Sequence, residues 1–275
     1  MPLLLLLLAA LFLAAFLLAL PRARRQPASP APALTPTLGL PASLILAAAT
    51  LLALALLVYR ALAARSITLP LADHFDAFLL LALLLDAALL YLRWTRRFRS
   101  FALFLLPIIV ILLILGAILT AVSPAPYPYD NVWTSLHIVS VIAGALCLAL
   151  GCVGGFAYLL AHRQLKHAPA TSTLPALPPL AAIERFNMSM VYAGFPLLTL
   201  AMITGALRLA QTAPPHSAHA PWLSPKLLFA SAAWLTYAIL AHVPLAPRLR
   251  GLHAAWLSIL GFSLFLATYA TVMWM

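Results

Sequence analysis

The eight histidines of this 275-residue chain carry most of its potential chemistry. Neutral imidazole ligates transition metals, haem iron among them, and a histidine set within a membrane needs a partner. Position in the chain sorts them. His137 follows Trp133 in Trp-Thr-Ser-Leu-His-Ile-Val-Ser, about one turn inside the outer end of an apolar run. His242 closes a different apolar run, sixteen residues after Lys226, so about 24 Å along a helix at 1.5 Å per residue. The two imidazoles should therefore stand at opposite faces of a bilayer and serve different irons or different steps of a transit. His216 and His219, in the loop Pro-Pro-His-Ser-Ala-His-Ala-Pro, are candidates for a second ligand beside His137. Trp133 and Trp222 could cover the face of a flat macrocycle, and Arg208 and Lys226 are cations placed to meet its carboxylates. Each of these also has a plain reading. Interfacial tryptophans anchor helix ends, and a His-x-x-His in a loop is commonly solvated.

The elements that must hold these groups follow from composition. The chain is 65% hydrophobic and 8% charged with a mean hydropathy of +1.07, far from the values of a soluble domain. Apolar runs lie at about 2–20, 41–59, 73–92, 101–121, 134–160, 187–210, 226–243 and 254–274. At roughly 20 residues per crossing these make about eight transmembrane helices. The expected fold is an all-α integral membrane bundle, one polytopic domain over 1–275, with residues 21–40 a Pro/Ala-rich linker. Residues 2–20 have Arg22, Arg24 and Arg25 behind them and no basic residue ahead, the reverse of a secretory signal, so they read as an uncleaved span.

The net charge of +11 and pI near 10.5 would suggest nucleic acid in a soluble protein. In a membrane protein they set orientation instead. Threading the spans from an outside N-terminus leaves only Arg60, Arg65, Arg208 and Lys226 of the 16 basic residues on the outer side. Both termini and the loops at 122–133 and 211–225 then face outward, periplasmic in a bacterial cytoplasmic (inner) membrane. The basic, proline-bearing stretch from His162 to Arg185 reads as an inner connector, and His162, His167 and His253 lie near inner-face ends. Pro107 and Pro196 fall within spans, where a proline kinks a helix.

Several chemistries lack their residues. There is no phosphate-binding glycine loop, no Ser-His-Asp set on one aqueous face and no zinc-type Cys/His cluster, so the chain does not read as an enzyme. Cys147 and Cys152 have the spacing of neither a redox pair nor a covalent haem attachment, and read as small core residues. Asp86 lies deep in the third run, where a charge is costly unless paired, hydrogen-bonded or protonated. A polar contact between helices is the simpler role for it. Asp73, His74 and Asp76 read as a solvated helix start with favourable N-terminal charge.

Four segments resemble one family. They are Leu136-His137-Ile138 with Ser140, extending through Tyr158-Leu159 to Leu165-Lys166; Leu177-Pro-Pro-Leu through Ile183-Glu-Arg185; Gly194-Phe-Pro-Leu-Leu-Thr-Leu through Thr204-Gly205; and Trp234 through Tyr237, His242, Arg250-Gly251 and Gly261-Phe262. Over about 130–272 the chain resembles the cytochrome c assembly protein family, and within it the HemX-like branch related to the CcsA subunit of cytochrome c synthase. The resemblance implies that haem b is met at the outer face by a tryptophan-rich segment flanked by histidines. His137 matches the family's outer histidine and His242 its membrane histidine. The tryptophan segment keeps Trp222, Pro225 and Lys226 but lacks the other tryptophans and the aspartate. Residues 269–275 offer no counterpart of the C-terminal outer histidine.

The resemblance thus implies an accessory of cytochrome c biogenesis that binds or passes haem, with a cytochrome c synthase subunit as partner. The alternative is a HemX-like membrane regulator of tetrapyrrole biosynthesis whose inner loops act on a haem-biosynthesis enzyme, glutamyl-tRNA reductase. A lesser alternative is a small-molecule transporter with Asp86 and the prolines along its path.

Overall fold

The computed structural model describes residues 1–24, 40–63, 73–94, 100–122, 132–167, 177–212, 224–242 and 251–271. Among them the regular structure is helical: α1 (Pro2–Arg24), α2 (Leu40–Ala63), α3 (His74–Trp94), α4 (Ala102–Val122), α5 (Val132–His167), α6 (Leu180–Thr212), α7 (Pro225–Ala241) and α8 (Leu252–Ala270). Runs of Leu and Ala combine good helix propensity with side chains that lipid tolerates outside and a core tolerates inside. The protein is an all-α membrane protein. Among the described residues seven helices are long and apolar enough to cross a membrane, and α7, at 17 residues, falls short of that length. Leu3, Leu51 and Leu62 are each at least two-thirds exposed, an arrangement suited to lipid rather than water.

The helices gather into two compact units, Met1–Pro126 with Leu160–Leu180, and Tyr127–Leu159 with Ala181–Met275. In the first, α1 packs on α4 and α2, and α3 packs on α4 and α2. Its core is built from Leu5, Leu8 and Phe12 of α1, Leu46 of α2, Phe75, Leu79, Leu85 and Leu89 of α3, and Leu105 of α4.

Polar contacts in this unit join α2 to α3. Arg60 pairs with Asp73 at 2.9 Å and with the buried Asp76, and its guanidinium lies 4.8 Å from the centre of the Phe75 ring. Asp73 Oδ1 also accepts the Asp76 backbone N–H at 3.1 Å, capping the free amides at the start of α3. These acids are therefore more than a solvated helix start: they clamp a cation carried by the neighbouring helix. Deeper in the contact, the Thr50 hydroxyl lies 2.6 Å from Asp86 Oδ2, the interhelical polar role expected of Asp86.

In the second unit α7 packs on α8. Tyr237 is fully buried there, with its hydroxyl donating to the Ser258 carbonyl at 3.2 Å and Gly261 against its ring. Ser258 in turn donates to Asn187 Oδ1 at 2.9 Å, which ties α8 to α6. Gly251 starts α8 at φ 69° with its N–H donated to Glu184 Oε1 at 3.3 Å. A Cβ there would stand 2.6 Å from the Tyr158 hydroxyl. Only glycine satisfies both that dihedral and that spacing.

One sequence expectation changes. The inner connector was expected from His162 to Arg185, but α5 continues to His167 and α6 begins at Leu180. Arg163, Lys166 and Arg185 consequently ride on helices. At 36 residues α5 is about 54 Å long, well beyond a hydrocarbon core of about 30 Å, and Leu, Gln and Lys sustain a helix in water as well as in lipid. Pro107 and Pro196 lie inside α4 and α6, each of which runs on past its proline.

Candidate functional site

The second unit holds the residues singled out for chemistry. α5 starts at Val132 and carries Trp133 and His137 one turn apart, so both project from one helix face. His137 Nδ1 donates to the Ala201 carbonyl of α6 at 2.8 Å. A carbonyl oxygen only accepts, so the Nδ1 proton is committed and the ring lone pair rests on Nε2.

Gly205 makes this approach possible. A Cβ at that position would stand 2.9 Å from His137 Cε1 and 3.2 Å from Nδ1, so any larger residue would push the imidazole away from Ala201. Thr204 Oγ1 is 3.4 Å from Nδ1 and donates to Leu200 O at 2.7 Å. Its main bond therefore belongs to its own helix. Trp133 is 42% exposed, which leaves much of its indole outside the protein core.

Ala201, Thr204, Gly205 and Arg208 recur at three- and four-residue steps, so they share the α6 face that receives His137. Lys226 is the second residue of α7. Both Arg208 and Lys226 lie close enough to the imidazole for their charges to act on it, and they act on each other. The structure thus draws His137, Arg208 and Lys226 into one electrostatic neighbourhood. α7 is fastened to α6 nearby by Trp234, whose indole N–H donates to Thr199 Oγ1 at 3.0 Å and whose ring lies 5.8 Å from Phe195.

His242 lies elsewhere. It is the exposed C-cap of α7, about 24 Å along that helix from Lys226, with Nδ1 donating to Ala238 O at 2.7 Å. This too leaves the lone pair on Nε2. His216, His219 and Trp222 fall outside the described residues. Cys147 and Cys152 are free thiols, Cys152 buried. Among the described residues no group of three or more His, Cys, Asp or Glu side chains converges as a metal cage. Among the described residues His137 is the imidazole at this end of α5, with Arg208 and Lys226 within electrostatic range.

The helix-building groups around it escaped the sequence reading. Thr204-Gly205 was visible only as part of a segment that carries the family resemblance, and nothing in the letters announces that the Ala201 carbonyl receives the imidazole. Residues 71–275, from the approach to α3 onward, match the cytochrome C assembly protein family. The chain belongs to that family. The match takes in α3 and α4, which the sequence alone presents as generic apolar spans, and it supports a role in cytochrome c biogenesis.

A curated relative from Azospirillum brasilense, an uncharacterized 28.8 kDa protein in nifR3-like 5'region, is 35% identical over 100 residues. The aligned part is 34% of this chain and 36% of that protein, so the likeness spans about a third of the relative. No solved structure matches.

Proposed function

We propose that this family member binds haem, or passes it, at the outer side of a bacterial cytoplasmic membrane during cytochrome c assembly, without catalysing covalent chemistry on its own. The observation that carries the reading is the His137 imidazole, held by Nδ1–H on the Ala201 carbonyl with Nε2 left as ligand and two cations in reach. Backbone anchoring of the far ring nitrogen is how proteins fix a metal-binding histidine. Iron ligation falls to His137, the haem propionates to Arg208 and Lys226, and a porphyrin face to Trp133.

In this reading the loop groups His216, His219 and Trp222 complete the outer surface, and His242 serves as a separate ligand on the intake side. Bound haem supplies the vinyl groups and the iron redox state on which cytochrome assembly depends. The chain's own residues bind it, orient it and balance its carboxylates. A partner subunit of a cytochrome c synthase would take the haem onward.

Purification from haem-replete membranes followed by visible spectroscopy tests the assignment. A Soret band in the wild type that falls at least tenfold in His137→Ala supports it. Wild-type protein without haem, or loading untouched in a His137→Ala, His242→Ala double variant, would overturn it in favour of a membrane regulator of tetrapyrrole synthesis.

A further inference from the structure

The first unit contains a carboxyl group that haem handling does not use. Asp86 is wholly buried in α3, and its Oδ1 has no hydrogen-bond partner among the described residues. Its other oxygen, Oδ2, stands 2.6 Å from Thr50 Oγ1, while the same hydroxyl lies 2.8 Å from the Leu46 carbonyl one turn back on α2. A hydroxyl has one proton to give and lone pairs to receive.

The protein shows how its helical hydroxyls spend that proton. Thr120, Ser140, Thr204 and Thr236 all donate to the carbonyl four residues earlier; Ser258, 3.0 Å from the Ala254 carbonyl, gives its proton instead to Asn187 Oδ1, an amide oxygen that can only accept. Thr199 donates to the Phe195 carbonyl at 2.9 Å while accepting from the Trp234 N–H, a group that can only donate. Thr50 has the same arrangement with a carboxyl in place of the indole. For Thr50 to donate to Leu46 and still bond Asp86, the second proton must come from Oδ2.

We propose that Asp86 is a proton-binding site, a neutral carboxylic acid that donates from Oδ2 to the Thr50 hydroxyl within the α2–α3 contact. The protonated form makes two hydrogen bonds through Thr50 and leaves only a neutral carbonyl oxygen unbonded. The ionised form would keep one of those bonds and strand an anionic oxygen buried away from the surface, which is far more costly. When the proton leaves for water, Thr50 must turn its own proton from Leu46 to Oδ2, so occupancy of the site is coupled to the hydroxyl's orientation on α2.

The surroundings offer little compensation. α4 carries no titratable side chain, and none lies on α1 between Leu3 and Leu20. On α2 the ionisable groups are Tyr59 and Arg60, and Arg60 is already clamped by Asp73 and Asp76. On α3 itself Arg93 acts on Asp86 from seven residues away, about 10 Å along the axis.

The test needs no haem. The chain has four aspartates, Asp73, Asp76, Asp86 and Asp130, so carboxyl-labelled 13C-aspartate gives an infrared spectrum with few contributors. The wild type in nanodiscs at neutral pH should show one labelled carboxylic-acid C=O band, absent in Asp86→Asn and moved to higher frequency in Thr50→Val. Carboxylate bands alone in the wild type would overturn the proposal. So would an acid band that survives Asp86→Asn or ignores Thr50→Val.

Discussion

The two units manage polar groups in lipid by opposite means. In the first, opposite charges meet: Arg60 lies between Asp73 and Asp76, and Asp86 sits against a hydroxyl. In the second, neutral groups close on one another, His137 on Ala201, Trp234 on Thr199 and Ser258 on Asn187. The described carboxylate of that unit, Glu184, is 24 residues from Arg208 on α6, about 36 Å away along the helix. It accepts the Gly251 N–H and cannot neutralise the cations at the His137 end. The first unit sets a cation between two acids, whereas the second places the cations Arg208 and Lys226 within electrostatic range of the His137 imidazole.

The strongest way to break this contrast is to remove the cation that the first unit sets between its acids. Arg60→Ala takes the guanidinium from the buried Asp76 and should cost about 3 kcal/mol of stability, the low end of the scale for removing one partner of a buried ion pair, read as a lowered midpoint in detergent unfolding. An unchanged midpoint would mean that the charges of the first unit do not hold its helices. Next is Gly205→Ala, which puts a methyl 2.9 Å from His137 Cε1. Haem loading should fall about tenfold, as for loss of a group that orients a metal ligand, with the unfolding midpoint of the first unit unaffected.

Smaller effects sharpen the contrast within the second unit. Ser258→Ala leaves Asn187 Oδ1 without its hydroxyl and should destabilise by about 1–2 kcal/mol, while haem loading stays at the wild-type level. Trp234→Phe, which removes the N–H to Thr199 but keeps a ring beside Phe195, should cost about 1 kcal/mol. Equal haem losses in Ser258→Ala and Gly205→Ala would show that the unit responds as one body and that the imidazole contact has no separate role.

Much of the fold was legible because lipid imposes a one-dimensional rule: a run of apolar residues long enough to cross must be a helix. The rule failed at helix ends. Lys166 and Arg163 looked like the edge of a loop, but helix propensity does not stop where the hydrocarbon does, and α5 carries both. Asp73 and Asp76 looked solvated because their partner Arg60 is on the preceding helix, a pairing that only the α2–α3 fold reveals. His137 could be picked out by residue type and depth. Its holding group is a backbone carbonyl, which has no letter of its own, and Arg208 joins it only because the turns of α6 place 201, 205 and 208 on one face.

The shortness of α7 has a consequence for the lipid itself. Seventeen residues cover about 25 Å, some 5 Å less than an average hydrocarbon thickness, and the helix has Lys226 near one end and His242 at the other. A bilayer meets such hydrophobic mismatch by thinning, and long basic side chains meet it by snorkelling. Under the haem-binding proposal, a bilayer thinned in this way would bring headgroup phosphates and water inward beside α7, so that a porphyrin's acidic edge could reach Lys226 without first being pulled through oil.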